Sequence, residues 1–204
     1  MTLPDWNSKN YEVDFPDIVI LPGTPLVDVP LPAKVGYIVR FLLGKVLPDA
    51  QNATLNGYDL AGLFVALAAI DYLAGYFAGK ETTGRDYKSF MQKYYPAKYE
   101  PYLSAIYKQI RCGLLHNLVP LEPWKGDGQI DFKIEGRSLK HLEDSEGKIS
   151  FSIPIFIEDT RRAFIIYQNQ LIMHPNENAD LIANFERRFN RLEGKASMMA
   201  YTPD

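Results

Sequence analysis

The stretch covering residues 59–77 constrains the fold more than any other part of the chain, because it is apolar on nearly every side. Residues 60–70 form a run of 11 residues without a charge, which Asp71 then interrupts. A membrane-spanning helix needs about 20 such residues. The run is therefore too short to cross a membrane and predicts the buried central helix of a bundle. Gly79 supplies a stop signal for that helix.

Other stretches show apolar residues at the spacing of an amphipathic helix. Proline, which cannot continue a helix without losing a hydrogen bond, follows several of them. The predicted helices cover residues 33–46 (ended by Pro48), 86–95 (ended by Pro96), 99–118 (ended by Pro120), 155–173 and 178–192. Short connections between the first four helices favour a mostly antiparallel bundle.

Two stretches alternate polar and apolar residues instead, at residues 129–134 and 148–153, and a turn-rich segment at 143–147 precedes the second. This pattern predicts a small β-hairpin or meander of two or three strands. The first 32 residues hold six of the 14 prolines and predict an extended arm.

The expected fold is mainly α, a helical bundle with a small β insertion and a Pro-rich N-terminal arm. The expected domains are the arm, residues 1–32, and one helical domain, residues 33–204. That domain is expected to hold a helical core at 33–120, the β-hairpin at about 128–154 and C-terminal helices at 155–193.

Charge is unevenly distributed along the 204 residues, whose formal net charge is −3. The near-neutral total argues against indiscriminate electrostatic binding to nucleic acid. Residues 80–125, however, carry eight basic and four acidic side chains, together with six of the 13 tyrosines. Cations for phosphates and aromatic faces for bases are what proteins combine to bind single-stranded nucleic acid. A solvated helix face rimmed by tyrosines is the competing interpretation.

Several kinds of site are not expected. Cys112 is the single cysteine, which excludes an internal disulfide and a multi-cysteine metal site. His141 and His174 lack neighbouring metal ligands, so no metal site is predicted. Glu158 and Asp159 are adjacent, which predicts a surface pair.

Residues 75–81 resemble a phosphate-binding loop only superficially, because the glycine spacing is short by one and Glu81 replaces the Ser or Thr that would bind magnesium. Residues 1–15 contain three acidic side chains and no apolar core, so the sequence predicts a cytoplasmic protein without a membrane anchor.

The sharpest local pattern is an Arg and a His five positions apart, Arg111 and His116, near the end of the fourth predicted helix. On an ideal helix they lie about 140° apart and do not share one narrow stripe. Gly113 between them costs roughly 1 kcal/mol relative to Ala inside a helix, which indicates a close backbone approach or a bend. Two copies of such a helix around a twofold axis would jointly line one cleft.

This Arg-x4-His motif resembles the signature of the HEPN superfamily of helical ribonuclease domains, and about half of the chain resembles a microbial branch of it. The similar stretches are Ile70-Asp71-Tyr72-Leu73, Gly84-Arg85-Asp86-Tyr87-Lys88-Ser89-Phe90, Tyr94-Tyr95-Pro96 and Arg111-Cys112-Gly113-Leu114-Leu115-His116-Asn117.

The resemblance implies a homodimeric endoribonuclease that needs no metal and no cofactor. In it the RNA 2′-hydroxyl attacks the adjacent phosphate and leaves a cyclic phosphate and a 5′-hydroxyl. Arg111 would clamp the phosphate and His116 would act as acid or base or orient the 2′-hydroxyl. The expected RNA-binding residues are Asn117, Lys108, Arg85, Lys88 and Tyr107. A defence or toxin role is implied, with a protein partner such as an antitoxin or another defence-system subunit.

One residue departs from the family pattern. The position after the Arg usually carries a polar residue, often Asn, and here it is Cys112. The sequence therefore leaves an alternative open, a non-catalytic HEPN-like interaction or accessory subunit. A bundle that binds a small molecule in an apolar pocket beside Asp71 is a third reading.

Overall fold

The computed structural model describes residues 28–118, 130–145 and 147–193. Within them the chain is mainly helical and carries one small three-stranded sheet, which confirms the mainly α fold class with its β insertion. Residues 1–27 of the expected arm lie outside the described ranges. The first described helix begins at Leu31, inside the range expected for the arm.

The described helices share one hydrophobic core. In chain order the α-helices are α1 (Leu31–Phe41), α2 (Leu47–Leu55), α3 (Asp59–Ala78), α4 (Gly84–Tyr94), α5 (Leu103–Ala105), α6 (Cys112–Asn117), α7 (Ile153–Met173) and α8 (Ala179–Glu193).

The sequence predicted that the first helix ends at Pro48, but the helical structure continues through this residue. A π-helical turn, Leu42–Val46, joins α1 directly to α2, and Pro48 occupies the first turn of α2. Proline is tolerated in the first turn, where its missing N–H deprives the helix of little. The prediction took Pro48 as a terminator because the sequence pattern does not reveal a π turn.

The predicted long helix over residues 99–118 is divided into four segments. It starts as a 3₁₀ helix, Ala97–Tyr102, that contains Pro101, and continues as α5. A π-helical turn, Ile106–Arg111, then leads into α6. Leu118 ends α6 with a positive φ of 60°, so the helix ends before Pro120, which lies outside the described residues.

The sheet has the strand order β1-β3-β2, with strands β1 (Phe132–Glu135), β2 (Glu143–Ser145) and β3 (Lys148–Ser152). The two predicted strands, β1 and β3, pair in parallel, so they form neither a hairpin nor a meander. The antiparallel hairpin is formed by β2 and β3. The predicted turn over residues 143–147 was partly wrong because residues 143–145 form β2. Its acidic sequence carries no strand pattern, and pairing with the buried β3 makes it a strand.

Helix α3 lies at the centre of the core, as its composition predicted. The sequence prediction that this segment is too short to cross a membrane was wrong, because the apolar helix continues past Asp71 to Ala78 and is long and apolar enough by length and composition. About 56% of its apolar stretch is, however, buried inside the fold. Leu63, Leu67, Ile70 and Leu73 are fully buried. This burial is what a core helix of a soluble protein shows.

Two glycines on one face of α3 let α8 pack closely against it. A Cβ on Gly79, whose φ is +70°, would lie 2.9 Å from the Asn184 Cα, and a Cβ on Gly75 would lie 3.2 Å from the Arg188 Nε. The Asn184 side-chain amide also donates to the Phe77 carbonyl at 3.1 Å, near the end of α3. The glycines that resembled a phosphate-binding loop therefore serve helix packing.

A buried chain of hydrogen bonds joins the sheet to the helices. The Ser152 backbone N–H donates to His141 Nδ1 at 3.0 Å, so Nε2 carries the proton of the neutral ring. Nε2 donates to the Tyr99 hydroxyl at 2.7 Å, and that hydroxyl donates to Asp159 Oδ2 at 2.8 Å. Asp159 is only 4% exposed, so the expectation of a surface pair with Glu158 was wrong for Asp159.

Burial sets the protonation of this chain of hydrogen bonds. Burial and, to a smaller extent, the nearby Lys98 ammonium together lower the pKa of His141 to about 3. Burial also raises the pKa of the Asp159 carboxyl, against the hydrogen bond from Tyr99 and the charges of Lys98 and Arg162. His141 is therefore neutral in the folded protein at any ordinary pH.

The close approach of α8 at Gly79 predicts the effect of adding a methyl group there. Gly79→Ala should lower the free energy of unfolding by about 3 kcal/mol, because a positive φ costs an L-residue about 1–2 kcal/mol and the methyl also meets the Asn184 backbone. Gly57 is the matched control, since its φ is +84° and its Cβ would meet open space.

Gly57→Ala should therefore lower the free energy of unfolding only by the cost of a positive φ, about 1–2 kcal/mol. Urea unfolding of both variants measures the difference, and equal losses would contradict a tight α3–α8 contact.

The neutral His141 predicts a loss of stability in acid. The unfolded chain binds a proton near pH 6.5 and the folded chain does so only near pH 3, so about 2 kcal/mol of stability is lost between pH 8 and pH 5. His141→Gln should remove this component, whereas His174→Gln, at an exposed site, should retain it. Wild type, His141→Gln and His174→Gln all contain the same carboxyls with raised pKa, so the pH dependence that these carboxyls cause is common to the three proteins. Urea unfolding at both pH values tests the prediction, which a parallel pH dependence of wild type and His141→Gln would refute.

Candidate functional site

The predicted catalytic arginine lies on the π-helical turn Ile106–Arg111. Ile106 and Ile110 anchor this turn in the core, and Leu114 anchors α6 after it. π turns widen a helix locally and occur frequently at functional sites. The turn places the Arg111 guanidinium over the Tyr107 ring, with the guanidinium carbon 5.3 Å from the ring centroid.

Asp71 of the core helix α3 holds this guanidinium from the other side. Arg111 Nε and Nη2 both donate to Asp71 Oδ2, at 2.8 Å and 2.7 Å. The two side chains are only 17% and 19% exposed. Two of the five guanidinium N–H groups are thereby used, and Nη1 lies 3.8 Å from the Cys112 Sγ.

The pair perturbs both ionisable groups. Burial raises the pKa of the Asp71 carboxyl, and the hydrogen bonds and charge of Arg111 oppose that rise. Burial by itself would lower the pKa of Arg111, but the Asp71 carboxylate outweighs it and the pKa is raised. The guanidinium therefore stays charged, with its charge largely compensated by Asp71.

Two buried polar atoms beside the pair have no hydrogen-bond partner within the described part of the chain: Asp71 Oδ1 and the Tyr87 hydroxyl. Tyr87 is fully buried and its ring lies 5.3 Å from that of Tyr107. Burial, together with the charge of Asp71, raises the pKa of Tyr87 well above its usual value. The hydroxyl thus stays protonated and is able to donate.

Gly84 makes room for Tyr107. A Cβ at position 84 would lie 2.6 Å from the Tyr107 Cε1, so a larger residue would displace the ring that supports Arg111. Gly84 opens α4, and Thr83 caps the helix: its hydroxyl accepts from the Asp86 N–H at 3.3 Å, and the Asp86 carboxylate accepts from the Thr83 N–H at 3.0 Å.

The structure leaves the predicted acid or base on the surface. His116 is exposed, and so are its neighbours Asn117 and Leu118 in the last turn. The side chains of His116 and Asn117 make no hydrogen bond or ion pair with another residue in the described ranges. The helix end that carries both residues is therefore open to a ligand or to a second protein.

The predicted RNA-binding residues separate into two groups. Lys108 is exposed on the turn that carries Arg111, and Lys88 lies on α4 beside the face that meets Tyr107. Arg85 instead lines an open groove of about 680 Å³ between α4 and the start of α8. Sequence reasoning grouped Arg85 with Lys88 because it could not assign the two sides of α4.

The groove has mixed charge. Lys80, Arg85 and Lys93 line it together with three acidic residues, Asp86, Glu177 and Asp180. The three positive and three negative charges balance, so the groove offers no net electrostatic attraction to a polyanion. Asp71 is not among its lining residues, so this groove is not the apolar pocket that the small-molecule reading required.

Sequence reasoning missed Asp71 as the partner of Arg111. The signal was a single acid inside an otherwise apolar helix, since a buried charge needs a partner. The described residues contain no group of three side chains able to hold a metal ion.

The ion pair predicts an unusual pH dependence for an Arg111 variant. Arg111→Ala leaves Asp71 half-buried without its partner, which moves the folded-state pKa of Asp71 further above its unfolded value. Stability is then lost as pH rises through that range. We expect a loss of about 2 kcal/mol at pH 8 and a smaller one at pH 5.

The double variant Asp71→Asn/Arg111→Ala removes the uncompensated charge and should regain stability at pH 8. Thermal unfolding at both pH values measures these differences. A loss that is the same at pH 5 and pH 8 would contradict a stabilising Asp71–Arg111 pair.

Comparison with known proteins finds no family model that matches this chain, and neither a curated protein nor a solved structure matches it.

Proposed function

We propose that this protein is a metal-independent endoribonuclease of the HEPN type that cleaves single-stranded RNA as a homodimer. The observation that carries the proposal is the fixed guanidinium of Arg111, held by Asp71 and Tyr107, at the start of the short helix whose exposed end bears His116. A rigid cation and a free imidazole on one helix are the two groups that such cleavage requires.

In the proposed reaction the RNA 2′-hydroxyl loses its proton to a base and its oxygen attacks the adjacent phosphorus. The bond to the 5′-oxygen breaks, and that oxygen gains a proton, which gives a 2′,3′-cyclic phosphate and a 5′-hydroxyl. Imidazole suits the proton transfers because its reference pKa is about 6.5. Two of the five N–H groups of Arg111 are used neither by Asp71 nor by the Cys112 sulfur, and they are available to stabilise the charge that develops on phosphorus.

The exposed end of α6 supports the dimer. His116 and Asn117 lie there without partners in the described ranges, and Leu118, a large apolar residue, is 75% exposed. A second copy packed at this end would cover Leu118 and bring two His116 side chains toward one cleft. Lys108, Lys88 and Tyr107 would contact the RNA beside it.

The proposed setting is the cytoplasm, in a toxin or defence role, with an antitoxin or another defence-system subunit as protein partner. The proposal needs no cofactor and no membrane. The mostly buried α3 supports the solubility that this setting requires.

A second candidate function is a non-catalytic interaction module. Two observations favour it. Asp71 compensates the positive charge of Arg111 that would attract a phosphate. The Cys112 thiol lies beside Arg111, at the position where the family usually has a polar side chain. Such a module would bind a protein partner stably and turn over no RNA.

The test is cleavage of single-stranded RNA by the purified protein in EDTA. His116→Ala should abolish cleavage, and Arg111→Lys, which keeps a positive charge beside Asp71, should reduce kcat by about 100-fold or more because the planar fork is lost. His174→Ala, at an exposed histidine that caps the C-terminal end of α7, is the matched control and should cleave normally.

The products should carry a cyclic phosphate. Cleavage that survives in both His116→Ala and Arg111→Lys would refute the proposal, and a wild type that cleaves no RNA but retains a protein partner would favour the interaction module.

A further inference from the structure

Arg111 cannot by itself supply the positive charge that an RNA backbone needs, because Asp71 compensates most of it. Two cations on the side of the site that faces α8 are also compensated: Lys80 pairs with Asp86 at 3.4 Å, and Arg191 pairs with Glu81 at 3.3 Å. Arg188 of α8 is different. Its side chain makes no ion pair and no hydrogen bond within the described part of the chain.

Arg188 is held in a specific place despite having no partner. Its side chain is half-buried, and its Nε atom is fully buried without an acceptor. The guanidinium passes over Gly75, where a Cβ would approach to 3.2 Å of Nε. Burying part of a cation without a counter-charge costs stability. An anion from outside the chain that binds the Arg188 guanidinium would offset this cost. The terminal nitrogens are not among the buried atoms, and they are free to meet one.

The position of Arg188 relates it to the Arg111 site. Gly75 lies one helical turn after Asp71 on the same face of α3, which places the two positions about 6 Å apart. The Thr82 hydroxyl connects them, because it donates to the Asp71 carbonyl at 2.5 Å and lies 3.0 Å from the Cβ position of Gly75. One arginine is thus bound at Asp71 and the other lies over the next turn of the same helix.

We propose that Arg188 is a second phosphate-binding residue of this site, which contacts an RNA backbone phosphate next to the one held by Arg111. One helical turn is comparable to the separation of consecutive phosphates along an extended strand. The inference rests on the proposed function for its ligand, since the shared chemistry is a phosphate group and RNA is the source we commit to.

Arg187 is the matched control for Arg188. It is the preceding residue of α8, carries the same charge and is exposed. The two variants Arg188→Gln and Arg187→Gln therefore change the net charge equally and differ in where the charge is lost. Arg188→Lys keeps the charge and loses the planar fork, and thermal unfolding of all variants shows that they fold.

The first probe is a 2′-O-methyl RNA oligonucleotide, which lacks the free 2′-hydroxyl and is not cleaved. Arg188→Gln should raise its Kd about five- to tenfold and lower the slope of log Kd against log salt by about one phosphate contact. Arg188→Lys should fall between wild type and Arg188→Gln. Arg187→Gln should change the Kd less than twofold.

The second probe is inorganic phosphate, which separates this inference from the ribonuclease proposal. Phosphate should raise the Tm of the wild type and of Arg187→Gln, and raise that of Arg188→Gln markedly less. If this pattern holds in a protein that cleaves no RNA, the anion site stands and the ribonuclease proposal fails. If RNA is cleaved but Arg188→Gln and Arg187→Gln behave alike with both probes, the inference about Arg188 is overturned and the ribonuclease proposal stands.

Discussion

The ion pair between Asp71 and Arg111 is the interaction on which the candidate site depends. It joins the central core helix to the π turn that carries the predicted catalytic arginine. Because both side chains are mostly withdrawn from water, neither tolerates loss of the other. The pair therefore explains both why an acid interrupts the most apolar helix and why Arg111 has one fixed orientation over Tyr107.

Glycines allow the neighbouring elements to reach this pair. Gly84 leaves space for the Tyr107 ring under Arg111, and Gly75 leaves space for Arg188. Gly79, at the end of the same helix, lets α8 approach the backbone of α3. The Tyr107 ring under Arg111 thus depends on a residue without a Cβ at position 84, and the Arg188 side chain lies in close contact with Gly75. The hydrogen bonds that run from His141 through Tyr99 to Asp159 form a second fixed arrangement. They hold the sheet against α7.

The sequence predicted much of the fold because long helices repeat their apolar residues over several turns. Helix α3, α4, α7 and α8 were all located to within a few residues in this way, and the strand pattern located β1 and β3. The irregular elements were missed. The π turns, the 3₁₀ start of the fourth predicted helix and the acidic strand β2 have no repeating pattern, since each is stabilised by contacts with distant segments.

By itself, the sequence determined the helical class, the buried central helix and the Arg-x4-His pattern on which the ribonuclease proposal rests, because composition and periodicity are local properties. Only the tertiary structure decided which charges meet. It paired Arg111 with Asp71 across 40 residues, and it left the Arg188 side chain without a partner among the described residues. It also turned Arg85 toward the groove between α4 and α8 and buried Asp159. Those outcomes depend on the relative rotation of packed helices, which is fixed by how side chains and glycines fit together in three dimensions.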